Sequence, residues 1–319
     1  MTVTTLLKRF DAGHQGALAR AISWVENGNP EAGELLDALH ARTGSAQRTG
    51  ITGPPGAGKS TLVDALASHW AAAGRKLGLL AVDPSSPFSG GALLGDRIRM
   101  DRASGEHGVF VRSMATRGSL GGLALATGAA ADLMDAFGFE EILLETVGVG
   151  QAEIDIAAAT DVCVVVLTPQ SGDGVQAMKA GLMEAADLFV VNKADQGGAD
   201  LLCGELEQML DFRPADAIRP PVLKSTASKA VGIAEIATAI DELRAHSAAD
   251  GRAETRRHER KLARTRRVFV EILRAALWSE HGLEQLAQSQ LDSGARPDRV
   301  AQKLASDLIN RFHQDGEQQ

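Results

Sequence analysis

Residues able to do chemistry cluster first at Ile51–Thr61, "ITGPPGAGKST". Gly53, Pro54, Pro55, Gly56, Ala57, Gly58, Lys59 and Ser60, with Thr61 next, follow the spacing G-x(4)-G-K-[ST]. Backbone N–H groups in such a loop curl into a concavity that holds an anion. Small residues keep Cβ atoms out of the path of approaching phosphates. Lys59 is placed to reach β- and γ-phosphate oxygens, and the Ser60 hydroxyl to bind Mg2+. The plainer reading is a strand-to-helix turn whose glycines only satisfy backbone angles. Against it stand the flanks: "RTGIT" is strand-like, and "STLVDALASHWAAAG" reads as a helix ended by Gly74. A nucleotide site is expected here.

The base is addressed by "NKAD", Asn192 to Asp195, after the apolar run "DLFVV". An ionised aspartate only accepts hydrogen bonds. Guanine offers it N1–H and the 2-amino group together, whereas adenine has neither. Asn192 supports the loop and the purine edge, and the Lys193 stem lies over the ring. A buried polar site matched to one base rejects the other, because its own groups are left unpaired. Such a short match also arises as an Asn-Lys turn at a strand end. Its place after a phosphate loop and before "KSTAS" decides for guanine. There Thr226-Ala227-Ser228 is expected to give backbone N–H to the guanine oxygen. The ligand implied is GTP or GDP.

"EILLETVGVGQ" ends an apolar strand in Glu145, with Gly148 three residues on. A carboxylate at the C-terminal end of such a strand lies over the crevice where open α/β sheets bind ligands. Glu145 is expected to hold Mg2+ through water, and Gly148 to bring an N–H to the γ-phosphate. Asp83 ends another strand and Asp96 follows in a loop; both are candidates for the Mg2+ sphere, Asp96 competing with a role as a helix-initiating residue. No Gln follows Gly148 directly, where Ras-like proteins orient the attacking water. Gln151 comes three positions later. Hydrolysis by the chain alone is therefore expected to be slow, a partner completing the site.

These groups need rigid elements behind them. From Arg48 onward short apolar runs ("KLGLLAV", "GVFVR", "EILLE", "DVCVVVL", "DLFVV", "PPVLK") alternate with helical patterns. The runs are nearly continuous, as in strands buried on both faces of a parallel sheet. They predict a doubly wound, mostly parallel α/β domain over 46–248. Residues 1–45 predict a helical extension, and 249–319 a further helical region. The 319 residues carry a net charge of -8, which argues against nonspecific nucleic-acid binding. "GRAETRRHERKLARTRR" (251–267) runs against that balance, with eight Lys/Arg and two Glu. It reads as a solvated helix face, or else as a docking surface for an acidic partner. Cys163 and Cys203 suggest small buried hydrophobes in a reducing compartment rather than a disulfide framework. With no secretory h-region and no membrane-length apolar stretch, a cytoplasmic protein without membrane contact is expected.

Taken together, "ITGPPGAGKST", "VDPSSPFSGGALLGDRIRM", "ATRGSLGGLA", "ETVGVGQAEID", "SGDGVQAMKAGLMEAADLFVVNKAD" and "RRHERKLARTRR" resemble the MeaB/ArgK/MMAA family. These are G-protein chaperones of adenosylcobalamin-dependent acyl-CoA mutases. The likeness runs through nearly the whole chain and implies a P-loop GTPase domain of the SIMIBI type. It implies a homodimer joined by its C-terminal helices, gating adenosylcobalamin delivery to a B12-dependent acyl-CoA mutase and protecting that mutase from inactivation. The mutase in turn stimulates GTP hydrolysis. By matching motifs, Ser60, Asp83, Asp96 and Glu145 take the Mg2+ roles, and Lys59, Glu145 and Gly148 the catalytic ones. Gln151, Asp173 and Lys179 belong to the partner-sensing switch, the last two within Ser171–Lys179. There the better-known members carry Gly-Ala-Gly-Asp-Glu-Leu-Gln where this chain has "QSGDGVQ". That departure leaves open which acyl-CoA mutase is the partner. The competing classes are a P-loop small-molecule kinase, which has no use for "NKAD", and a nickel-delivery GTPase, which needs Cys/His ligands at metal spacing.

Overall fold

A computed structural model of the chain describes residues 1–83, 108–115, 122–146, 152–170, 180–213, 218–280 and 282–316. Among the described residues seven strands form one sheet: β1 (Gln47–Thr52), β2 (Leu77–Asp83), β3 (Phe110–Ala115), β4 (Glu141–Thr146), β5 (Val162–Leu167), β6 (Leu188–Val191) and β7 (Val222–Lys224). Their order is β3-β2-β4-β1-β5-β6-β7, and every strand pair is parallel. Parallel neighbours need crossovers, and helices supply them: α4 (Lys59–Ala72), α5 (Gly122–Phe137), α6 (Ala152–Ala159), α7 (Ala180–Ala185), α8 (Ala199–Leu210) and α9 (Ile233–Ala249). The expected doubly wound α/β fold is the observed one.

Both faces of the sheet are buried, which is why its strands read as unbroken apolar runs. In β4, Ile142 and Leu144 enter one core while Leu143 enters the opposite one. In β5, Val162, Val164 and Val166 join the core under α4 and α9, and Cys163, Val165 and Leu167 join the core under α8. The amino-terminal helices α1 (Val3–Asp11), α2 (Gln15–Glu26) and α3 (Ala32–Leu39) are not a loose appendage. Leu6, Phe10, Leu18, Ile22 and Leu35 share one core with Leu133 and Met134 of α5. An ion pair from Arg112 of β3 to Glu26 at 2.6 Å fastens α2 to the sheet edge.

The chain divides into two compact units, Met1–Lys261 and Leu262–Gln319, the boundary falling inside the long helix α10 (Arg252–Ala275). The second unit continues through α11 (Leu283–Asp292) and α12 (Pro297–Gly316). Its own core is small, built on Ala287, Val300 and Leu304, while Phe269, Ile272 and Trp278 are exposed. Among the described residues no helix is long and apolar enough to cross a membrane.

Much of the basic run is the exposed face that was expected, Arg252, Lys261 and Arg266 among it, but three of its arginines turn inward. Arg256 pairs with Asp187 at 2.9 Å, and Arg257 and Arg260 reach Asp161 at 3.4 and 3.1 Å. Both aspartates sit immediately before strands, Asp161 before β5 and Asp187 before β6. Each also accepts a backbone N–H, from Arg48 and Cys163 respectively. Burying those carboxylates calls for cations, and three arginines of the run supply them.

Candidate functional site

The phosphate-loop sequence joins β1 to the first turn of α4, at the C-terminal edge of the sheet. Gly53 has φ +135°, and a Cβ there would lie 2.1 Å from Val166 O of the neighbouring strand. Gly58 has φ +84°, and its Cβ would meet Asn192 Nδ2 at 2.4 Å. These two glycines are therefore demanded by the protein's own packing, before any ligand is considered. The Lys59 ammonium folds over the loop and donates to Gly53 O at 2.8 Å and Pro54 O at 3.0 Å.

β4 lies beside β1 in parallel register, with Ile51 opposite Glu145. That pairing sets the buried Glu145 carboxylate against the start of α4, where Ser60 Oγ donates to Glu145 Oε1 at 2.5 Å. One residue on, the Thr146 hydroxyl donates to Thr52 Oγ1 at 3.1 Å, tying the two strand ends together. Asp83 closes β2 on the other side of β4, with Val82 opposite Thr146. A hydroxyl and a carboxylate in contact are hard oxygen donors of the kind Mg2+ selects. Among the described residues no three of His, Cys, Asp and Glu gather at metal-binding distance. Asp96, Gly148, Gln151, Asp173 and Lys179 lie outside the described residues.

Asn192, at the end of β6, is buried and connects two loops. Its Nδ2 donates to Ala57 O at 3.0 Å and lies 3.4 Å from Gly58 O. Its Oδ1 accepts from Ser225 Oγ and from Ala227 N–H, both at 3.1 Å. Both ends of the amide are thus engaged within the protein, which gives Asn192 the loop-supporting half of its expected role. Lys193 follows in a left-handed conformation, φ +56°, which turns the chain so that Asp195 emerges half-exposed. Asp195 Oδ2 accepts from the Lys229 ammonium at 2.8 Å. That hydrogen bond holds the Asp195 carboxyl below the usual carboxylate range. In Thr226-Ala227-Ser228 the first N–H goes to Val231 O and the second to Asn192. Ser228 N–H has no acceptor among the described residues, so it alone of the three is free for a base oxygen.

Sequence reading missed a second layer that holds these elements from the opposite end of the sheet. Glu141 opens β4, four residues before Glu145, and is almost fully buried. It accepts from Arg75 at 2.7 Å and from both terminal nitrogens of Arg244, at 3.0 and 2.9 Å. Arg244 also donates to Thr49 Oγ1 at 2.6 Å. Both guanidinium groups lie over the Trp70 ring, at 5.8 and 5.7 Å from its centre. The staple thus joins α4, β4, β1 and α9, the elements that carry the phosphate loop, Glu145 and the guanine-side loop. Nothing in its spacing along the chain signals it. Cys163 lies wholly buried in β5, where burial and Asp187 push its thiol up to about 12.

The family model described as methylmalonyl Co-A mutase-associated GTPase MeaB matches residues 18–281. A putative GTPase of Pyrococcus abyssi is 49% identical over 262 residues, covering 81% of each chain. The mouse mitochondrial methylmalonic aciduria type A homolog is 35% identical over 267 residues, covering 77% of this chain and 64% of that protein. A crystal structure described as a LAO/AO transport system kinase superposes with a TM-score of 0.73 at 27% identity, covering 96% of this chain and 97% of that one.

Proposed function

The chain belongs to the MeaB family of methylmalonyl-CoA mutase-associated GTPases, and from that membership we propose that it is the GTP-driven chaperone of a cobalamin-dependent acyl-CoA mutase. The observation that carries the reading is the meeting of Lys59, Ser60 and Glu145 at one strand edge, with Asn192 bonding that loop to the segment beside Asp195.

In this reading the loop from Gly53 to Thr61 cradles the phosphates. Lys59 exchanges its two carbonyl acceptors for phosphate oxygens and offsets the charge that spreads over them as the phosphoryl group transfers. Ser60 and Glu145, in contact with each other, would hold Mg2+ together with Asp83 and Asp96. When bound, the metal neutralises charge on the β- and γ-phosphates. Asp195 accepts N1–H and the 2-amino group of guanine, the Lys193 stem covers the ring, and Ser228 N–H meets the base oxygen. Gly148 senses the γ-phosphate, and Gln151, Asp173 and Lys179 form the switch that reports the mutase.

The mutase is methylmalonyl-CoA mutase or a related enzyme for another branched or short acyl-CoA. Adenosylcobalamin is its cofactor, not this chain's. A homodimer through the C-terminal unit is supported by the exposed Phe269, Ile272 and Trp278 on a unit with so small a core. The test is single-turnover GTP hydrolysis with and without the purified mutase. Slow turnover alone, acceleration by the mutase, and loss of both with Lys59→Ala are expected. No acceleration by any cobalamin-dependent acyl-CoA mutase would remove the chaperone role and leave the GTPase.

A further inference from the structure

Asp195 has one side-chain partner among the described residues, the Lys229 ammonium. We propose that Lys229 is a positioning residue for base selection, holding the Asp195 carboxylate in the orientation from which both oxygens meet guanine. This rests on the reading of Asp195 as the base-recognising group.

Lys229 is not a chance surface neighbour, because the loop that presents it is fixed from several sides. It ends a short 3-10 turn, Ala227–Lys229, in which Lys229 N–H donates to Thr226 O at 2.9 Å. Thr226 and Val231 exchange backbone hydrogen bonds at 3.0 and 3.3 Å, closing the loop behind it. Ala230 completes the closure in a left-handed conformation, φ +54°, unusual for a residue with a Cβ. Gly232, φ +80°, packs where a Cβ would lie 2.3 Å from Lys224 O. The loop bearing Asp195 is stitched to this one by Ala194 N–H donating to Ser225 O at 2.9 Å. Two fixed backbones thus set the span that the Lys229 side chain bridges.

The pair itself is half-exposed, with side-chain exposures of 63% for Lys229 and 40% for Asp195. Ion pairs in such surroundings add little to fold stability, so global folding gives no reason for the arrangement. Its effect falls on the carboxylate. Without Lys229 no other described side chain fixes the torsions of Asp195, and binding a base must then freeze them. Two parallel hydrogen bonds to one carboxylate are more demanding of orientation than one. Lys229 binds only Oδ2, and each carboxylate oxygen has room for a second donor.

Lys229→Met is read by calorimetry with GDP and with IDP, whose base lacks the 2-amino group. Freezing a freed side chain is expected to weaken GDP by about two- to tenfold. IDP, which makes one hydrogen bond to Asp195 instead of two, should weaken less, so the GDP preference narrows. Lys229→Arg, which keeps a charged donor, should restore that preference. A mere loss of positive charge from the surface around the nucleotide would weaken both nucleotides equally, and that result overturns the proposal. Unchanged or tighter GDP binding by Lys229→Met overturns it too. Asp195→Asn separates the two layers. If it weakens GDP while Lys229→Met does not, only the role of Lys229 falls. If Asp195→Asn leaves GDP binding intact, the base-site reading falls with it. Thermal midpoints of all variants, expected to match that of the unaltered protein, exclude unfolding as the cause.

Discussion

Replacing Glu141 by Ala tests whether the nucleotide loops are held from the far end of the sheet. Glu141 is 4% exposed and faces two guanidinium groups. Removing one member of a buried pair leaves an uncompensated charge and costs about 3–5 kcal/mol. Two features pull the estimate to the low end. The Arg75 side chain is 33% exposed and keeps Asp241 at 2.5 Å, and Arg244 retains Asp241 at 3.3 Å. Arg244 is the costly member, since its side chain is 9% exposed. A loss of about 3 kcal/mol follows, which in a unit of this size lowers the melting temperature by about 6–12 °C. Urea unfolding followed by tryptophan fluorescence measures it directly, because Trp70 lies under both guanidiniums. The companion variant is Glu141→Met with Arg244→Met, which removes both charges and should recover a large part of the loss. Selectivity for GTP over ATP should persist in the single variant wherever it remains folded. A loss below about 1 kcal/mol, the range of a surface pair, would refute the staple, as would a double variant weaker than the sum of its parts.

Three other outcomes are expected. Burial pushes the Asp161 carboxyl up, but Arg260, the Arg48 N–H and Arg257 outweigh it and hold the group below the usual carboxylate range. Its contribution is therefore complete above the unfolded carboxylate value of about 3.9 and is lost as pH falls through the lower folded one; Asp161→Asn should lower the urea midpoint at neutral pH and flatten its acid limb. Gly53→Ala should destabilise the chain strongly, its Cβ meeting Val166 O, whereas Gly56→Ala, with nothing within 4 Å in the ligand-free chain, should cost its fold only the backbone strain of about 1–2 kcal/mol; thermal unfolding of the pair without nucleotide checks this. Phe269→Glu should convert a dimer to monomers in light scattering while basal GTP hydrolysis continues, and a dimer that persists would move the interface elsewhere.

The sequence by itself determined the groups that work through their near neighbours along the chain. Gly53 to Ser60 must turn from a strand into a helix, Glu145 must end an apolar strand, and Asn192-Lys193-Ala194-Asp195 must follow another. In each case local spacing and the side-chain period of a strand suffice. It also announced a parallel sheet, because strands covered on both faces carry apolar residues at every position. That same continuity hid the rest. A run such as Val162–Leu167 has no polar face to show which side meets α9 and which meets α8, nor which strand lies beside it. Only the order β3-β2-β4-β1-β5-β6-β7 brought Arg244 to Glu141 across 103 residues, Asn192 to Ala57 across 135, and Arg256 to Asp187 across 69. A charge declares along the sequence that it needs a partner, but burial and strand order select the partner. The basic run therefore read as surface throughout, although three of its arginines meet Asp161 and Asp187, and Lys229 had no assigned role until two separate loops met at Asp195.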